Sequence, residues 1–410
     1  MSSTTVAPRV VAHARDVLAD VEHCTDPVAT ARLLPKEVYT SEEFWEFERT
    51  AVFMREWLCI GHVNEVPEPG DQLPLTVLGE PVVLLRDMVG QVRVMSSVCQ
   101  HRGHPIFGGV APVQADTGCL VKGHRMVCPY HNWQFELDGR LVAAPSMTET
   151  VPVKRLRETI RLGQIRTEVF HGLVFVNFDD DAQPLAPTLG KLDEELQTWG
   201  MEELIPMPFD LRRDLPWNWK LHHDNALEPY HTAYVHRGVH EAAPAKNARF
   251  GEWHDGDGQV MHPTYLTSED ASLTSSDGAR VSMIIPGLGE EQRKRVMFAS
   301  VPPLLFGIWQ PTMISLSILL PSGPASMDLR RVNLYPKNAV ESEGFDQVYA
   351  TYQERKKVAI SQDAATTIAL QQGMNSRFAP RGPLSWMEGN IPHLNSWLLE
   401  RYQRALADFS

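Results

Sequence analysis

No stretch of the 410-residue chain stays apolar for the ~18 residues that crossing a bilayer takes, so a membrane-spanning helix is not expected. The first residues, MSSTTVAPRVVAHARDVLADVEH, carry Arg, His, Asp and Glu where a secretory leader needs an apolar core, which leads us to expect a cytoplasmic protein. Positive charge is scarce: 38 Lys and Arg against 51 Asp and Glu leave a net charge of −13. That balance speaks against nucleic acid or an anionic membrane surface as a partner. Cysteine is rare and odd in number, the five being Cys24, Cys59, Cys99, Cys119 and Cys128. Reduced thiols or metal ligands are therefore expected, not a disulfide framework. Internal repeats, low-complexity tracts and a glycine-rich flavin or nicotinamide fingerprint are all missing. What remains, 43% hydrophobic and 22% charged residues, is ordinary for a globular protein of two or three domains.

Along the chain, residues 1–35 read as a polar, Ala-rich leader with some helix. Thr40-Ser41-Glu42-Glu43 has the form of a capping box. Phe44, Phe47, Ala51, Met54 and Leu58 follow at the spacing of one amphipathic helix. From Cys59 the pattern changes to short strands broken by Pro and Gly. Pro81–Leu85 and Gln91–Met95 flank Asp87-Met88-Val89-Gly90 and predict a hairpin. Strands continue to Leu173–Phe178, and the acidic run at 179–184 marks a boundary. Two long strands are expected at Met313–Leu320 and Leu329–Tyr335, a helix over 341–374, and a terminal helix over 396–407.

Two groups of residues carry chemistry. Cys99-Gln100-His101 is followed, after 26 residues, by Cys128-Pro129-Tyr130-His131. Two Cys and two His in loop-like pairs suit either zinc or a [2Fe–2S] cluster with the histidines on one iron. The second group lies in residues 217–240, where Asp224, Asn225, Glu228, His231 and His236 fall within 13 positions. Histidine with carboxylate suits zinc or non-haem iron. At about 100° per residue, Glu228 and His231 share one helix face, whereas His231 and His236 would splay. Pro229 removes an N–H and leaves the Asn225 carbonyl without its helical partner, so a distorted helix is expected to bring both rings to one ion.

CQHRG and CPYHNW resemble the two halves of a Rieske [2Fe–2S] motif. The resemblance implies that Cys99 and Cys128 bind one iron, and His101 and His131 the other. The respiratory version of this motif carries an extra cysteine in each loop, joined as a disulfide. His104 and Tyr130 stand at those places, which points to the oxygenase version. The interval between the loops is longer than the family norm. The excess lies around 110–123 and contains the bystander Cys119. Asn132 replaces the usual glycine, which Asn can do in a left-handed conformation.

With that module upstream, residues 217–240 resemble the mononuclear-iron segment of Rieske non-haem iron oxygenase α subunits. The matching frame is Asn218, Lys220, Asn225, Glu228, Tyr230-His231 and His236, and the likeness spans about residues 40–405. It implies a 2-His-1-carboxylate Fe(II) site made of His231, His236 and, from the C-terminal helix, Asp363. Glu228 and Asn225 are the residues it assigns to catalysis. In the family the residue at 228 links a Rieske histidine of one subunit to an iron histidine of its neighbour. Within one subunit the metals are too far apart, so a head-to-tail homotrimer is implied. Glu, where Asp is commoner, together with QQGMNS at 371–376, resembles the carnitine and glycine betaine monooxygenases.

The fold implied is α+β: an N-terminal helical segment (1–50), a β-rich Rieske domain (51–180) and a catalytic domain (181–410) with helices over a curved antiparallel sheet. The function implied is that of a terminal oxygenase component. It would hydroxylate or dihydroxylate a small, aromatic molecule with O2 and electrons from a separate NAD(P)H-dependent reductase, with or without a ferredoxin. The alternatives are a monooxygenase or N-demethylase of a quaternary ammonium compound, a Rieske electron carrier, and a zinc-stabilised binding protein. Trp217, Trp219, Tyr230, Tyr234 and Trp309 could cage a cation or simply pack a core. His222 and His223 are expected at the surface, and His240 in a structural role.

Overall fold

The computed structural model describes residues 6–236, 238–271, 273 and 283–409. Residues 1–5 of the expected N-terminal segment lie outside that range. The chain divides into two compact units: residues 59–182, and residues 1–58 together with 183–410. Both combine helices with antiparallel sheet, so the α+β expectation holds.

The 59–182 unit carries a four-stranded sheet in the order Val92–Ser96, Glu80–Arg86, Asp71–Val77, Val121–Lys122, and two three-stranded sheets. The expected hairpin is present, with Leu84 opposite Val94. Its turn is built by Asp87, whose Oδ1 accepts the Val89 and Gln91 N–H groups, and by Gly90 at φ +87°. The excess segment at 110–123 is tied to the sheet edge. Asp116 Oδ1 accepts the Thr76 N–H at 2.9 Å, and Val121–Lys122 pairs with Asp71–Val77. Cys119 in this segment is exposed and unpaired.

The larger unit is built on a seven-stranded antiparallel sheet. Its ordered path is Ile205–Pro206, Ser326–Tyr335, Met313–Gly323, Leu305–Gln310, Arg295–Val301, Val260–Tyr265, and Asp210–Leu215 also pairs with Ser326–Tyr335. The two expected long strands are present as Met313–Gly323 and Ser326–Tyr335, and they pair with each other antiparallel. The helix Trp219–Leu227 packs against the sheet and against both long C-terminal helices, Phe345–Met374 and Asn390–Asp408. The terminal helix starts earlier than expected, because Pro392 falls in its first turn, where a missing N–H costs nothing.

The N-terminal helices differ from expectation in two respects. Ser41, not Thr40, is the N-cap and accepts the Phe44 N–H, so no reciprocal Glu bond closes a capping box. The helix also stops at Glu48, loosens into a π turn over Arg49–Phe53, and Leu58 opens a strand. The π turn keeps Phe44, Phe47, Ala51 and Phe53 inside.

Glu48 is the buried hub of this region. Its carboxylate accepts from Lys220 Nζ at 2.8 and 2.9 Å, from Trp219 Nε1 at 2.9 Å and from the Tyr402 hydroxyl. Lys220 and Glu48 side chains are each 1% exposed. Burial draws the ammonium towards neutrality and Glu48 opposes it. Glu48→Ala is expected to cost about 3–5 kcal/mol, because it strands a buried cation. Chemical denaturation checks this; a loss below about 1 kcal/mol would contradict the pairing.

Two candidate metal centres

In the 59–182 unit the CQH and CPYH loops are two versions of one turn. The Cys99 N–H donates to the His104 carbonyl and the Gly103 N–H returns to the Cys99 carbonyl. In the second loop, Cys128 N–H donates to Trp133 and Asn132 N–H to Cys128. Gly103 at φ +77° and Asn132 at φ +59° occupy equivalent left-handed positions, so Asn serves in the glycine's place. The two thiols are buried side by side, and burial pushes Cys99 up to about 11. The half-exposed imidazoles of His101 and His131 bring their Nδ1 atoms to 3.2 Å of one another. Trp133, fully inside, stacks on His101 at 4.7 Å. This donor set fits a cluster: two thiols lie on the inner side and two imidazole nitrogens converge on the outer. His104 and Tyr130 also face each other across the loops, ring to ring at 5.6 Å, in place of a disulfide.

In the larger unit Pro229 does more than distort a helix. Trp219–Leu227 ends, Glu228 is extended at φ −116°, ψ 128°, and a second short helix runs Thr232–Val235. The break turns both rings inward. The expected shared helix face of Glu228 and His231 is replaced by a turn: the Glu228 carboxylate accepts the His231 backbone N–H at 3.0 Å and holds Nδ1 at 2.6 Å. His236 Nδ1 lies 2.8 Å from Gln362 Oε1. With both Nδ1 atoms engaged, both Nε2 atoms face Asp363 on the long helix, at 2.8 Å (His236) and 3.6 Å (His231) from Oδ1.

The ligating atoms of His231, His236 and Asp363 all lie within 4.8 Å of one another. Asp363 Oδ1 is buried yet makes no well-aligned hydrogen bond. Burial opposes charge at both groups, but the facing rings outweigh it and hold the Asp363 carboxyl well below the usual carboxylate range. Burial likewise opposes the His231 imidazolium, and the carboxylates of Asp363 and Glu228 outweigh it and push the ring up to about 9. An orphaned carboxylate oxygen facing two imidazole nitrogens fits a divalent cation, and the donor set is that of a 2-His-1-carboxylate iron site. Gln362, the outer partner of His236, was not singled out in the sequence; its only signal there is its place next to Asp363.

A cavity of about 180 Å³ opens on this triad, and Asn225 and Trp217 line it. The other aromatic cage residues do not assemble there. Trp219 and Trp309 are core residues, and Tyr230 and Tyr234 are exposed and pair edge-to-face. The surface positions expected for His222 and His223 are also corrected. His223 is fully buried between Ser300 Oγ and the Pro303 carbonyl, and His222 lines the cavity. His240 stacks on His236 at 5.1 Å, as a ring-positioning residue would.

A family model for the Rieske [2Fe–2S] domain matches residues 56–159, and one for the ring hydroxylating alpha subunit (catalytic domain) matches residues 202–404. The carnitine monooxygenase oxygenase subunit of Acinetobacter pittii is 30% identical over 218 residues, 53% of this chain and 56% of that protein. The biphenyl 2,3-dioxygenase subunit alpha of Rhodococcus jostii is 32% identical over 227 residues, 54% of this chain and 45% of that one. The chain thus spans about half the length of the curated relatives it matches. Among solved structures, a quaternary ammonium Rieske monooxygenase superposes with TM-score 0.77 at 21% identity, over 93% of this chain and 98% of its own. Naphthalene 1,2-dioxygenase from Rhodococcus sp. does so with TM-score 0.75 at 19% identity, over 97% and 99%. At that identity these two speak for the fold. The domains together imply a Rieske [2Fe–2S] cluster and a mononuclear iron that works with O2. Because the cluster domain and the ring-hydroxylating catalytic domain follow one another along a single polypeptide, the chain belongs to the Rieske non-haem iron oxygenase α subunits.

Proposed function

We propose that the protein is a terminal oxygenase component that inserts oxygen from O2 into a small organic substrate. The observation that carries this reading is the convergence of His231, His236 and Asp363 at a cavity large enough for a one-ring molecule. In this reading Cys99 and Cys128 hold one iron of the cluster, His101 and His131 the other, and the triad holds Fe(II). When bound, the cluster supplies electrons singly and Fe(II) activates O2. The protein's own contribution is positional. Glu228 and Gln362 fix the ring orientations through Nδ1, so that only Nε2 is offered inward. Phe298, Phe306, Ile308 and Leu329 give the cavity an apolar wall that holds a substrate body and excludes water. Asn225 borders the same space and is assigned to substrate positioning.

The electrons come from a separate NAD(P)H-dependent reductase, directly or through a ferredoxin, in the cytoplasm. The assembly is a homotrimer in which Glu228 links one subunit's cluster to the next subunit's iron. A quaternary ammonium substrate is the second reading, favoured by the carnitine monooxygenase relative. The dispersed aromatic residues favour an apolar, aromatic body instead.

Chemically reduced protein exposed to O2 with a substrate panel tests the activity, read as product mass and O2 uptake. A pure electron carrier would give no product, and a zinc protein would be colourless. Glu228→Ala tests the bridge. It is expected to keep both metal sites and the visible spectrum while turnover falls at least 10–100-fold, the range for loss of a ligand's outer partner. Glu228→Asp keeps the charge and should retain partial activity. An Ala variant that lacks the mononuclear iron would make Glu228 a ligand; one that turns over normally would remove the inter-subunit route.

A further inference from the structure

The charge of the cavity wall is the reverse of what a cationic substrate needs. Among the described residues the acids that line it are Glu228 and Asp363, and both are committed to the histidines. Facing them are four cations: Arg212, Arg331, Arg355 and Lys356. Two of these are poorly compensated. Arg331 Nε reaches only the Ser317 hydroxyl, at 3.4 Å, and its Nη1 is out of solvent with no hydrogen-bond partner. Lys356 Nζ donates to the neutral Asn333 amide at 3.0 Å. Neither forms an ion pair among the described residues. Burial, then the Arg212 charge, brings Arg331 down to about 10 against the weaker pull of Asp363 and Asp210; burial, then Arg331, brings Lys356 down to about 7 against that of Asp210. Two cations that press on each other at the edge of an apolar cavity leave room for one anion.

Their placement also sets a length. Lys356 and Asp363 lie seven residues apart on one helix, two turns, so both project from the same face roughly 10 Å apart along the axis. Ala359 and Ile360 lie between them on that face and line the cavity. Arg331 projects from the sheet opposite Ser317, its register partner. Lys356 thus stands two turns from the triad with the apolar Ala359 and Ile360 between them, and Arg331 lies close enough to act on both Lys356 and Asp363.

The geometry points to an anionic substrate: a molecule with an apolar body of about one ring and a carboxylate or sulfonate, whose oxygens are held by Arg331 and Lys356 while the body lies on Ala359 and Ile360 and extends to the iron. This rests on the oxygenase reading above and names its substrate class. It makes Arg331 and Lys356 specificity-determining residues. A zwitterion that carries a carboxylate would be accepted through that group; a simple quaternary ammonium ion would be repelled.

Calorimetric binding to the purified holoprotein tests this without turnover. The probes are benzoate, benzenesulfonate, neutral benzamide and the trimethylphenylammonium cation. Benzoate or benzenesulfonate should bind at least tenfold more tightly than benzamide, and trimethylphenylammonium should not bind. Arg331→Gln and Lys356→Met should each weaken anion binding at least tenfold and leave benzamide unchanged. Arg331→Lys, which retains a charge, should recover part of the affinity and shows that the site still folds. Benzamide or trimethylphenylammonium bound as tightly as the anions overturns the proposal. So does anion binding that survives both substitutions, or no anion binding at all. Iron content and O2 uptake, measured separately, report on the oxygenase reading, so either idea can fail alone.

Discussion

Asp363→Ala is expected to empty the mononuclear site and leave the cluster untouched. Iron analysis should fall from three towards two atoms per chain, while the visible and electron-spin signatures of the cluster persist. The reason is local. Among the described residues Asp363 supplies the one anionic oxygen that faces both Nε2 atoms, and it sits on a long helix whose backbone an alanine does not disturb. Two neutral imidazoles are a weak grip for Fe(II), which needs the carboxylate for charge as well as geometry. Loss of an outer partner already costs 10–100-fold, so loss of a ligand should lower turnover by more than about 100-fold. Full turnover by this variant would remove Asp363 from the site and send the search to another acid.

Cys128→Ser should have the opposite pattern, with the colour lost and the mononuclear iron kept. The serine hydroxyl is far less acidic than a thiol and a poor partner for iron–sulfur chemistry. The loop itself should survive, because the Cys128 N–H to Trp133 and Asn132 N–H to Cys128 bonds are main-chain. Turnover should fall to background, since no electron reaches the iron. A normal Rieske electron-spin signal in this variant would sink the ligand assignment. Cys119→Ser is the internal control: an exposed thiol on the sheet-edge segment should leave the cluster as it is.

What could be read in advance follows the distance over which each feature is specified. The hairpin at 80–96 and the two loops are local, set by Asp87, Gly90, Gly103 and Asn132 over a few residues, and they were legible. Pro229 announced a disturbance in the helix but not its extent, because the extended Glu228 is held by its bond to His231, which only the folded turn supplies. The helix after Ser41 was read through to Leu58, since the spacing of Phe44, Phe47 and Ala51 cannot distinguish a regular from a π turn. His222 and His223 looked like surface residues; the burial of His223 comes from a strand some 77 residues later, through Ser300, while His222 stacks on Trp217 at the cavity. Lys356 sits in the charged run Glu354-Arg355-Lys356-Lys357, which reads as a solvated helix face. Only the folded partners reveal that Arg355 and Lys356 turn inward, the first to the Val239 carbonyl and the second to Asn333 beside Arg331.

The order of the units along the chain has a consequence for biosynthesis. The catalytic unit is discontinuous: its first 58 residues precede the cluster unit and the rest follow from 183. During synthesis at about 5–20 residues per second the cluster unit emerges whole and can fold first. Phe44 and Phe47 pack on Tyr402, some 355 residues later, so they wait exposed on the order of tens of seconds for their partner. Over that interval the nascent chain covers this aromatic helix only with its own N-terminal neighbours, Pro8–Leu18 and the π turn, and leaves the faces that Tyr402 will occupy open to a chaperone.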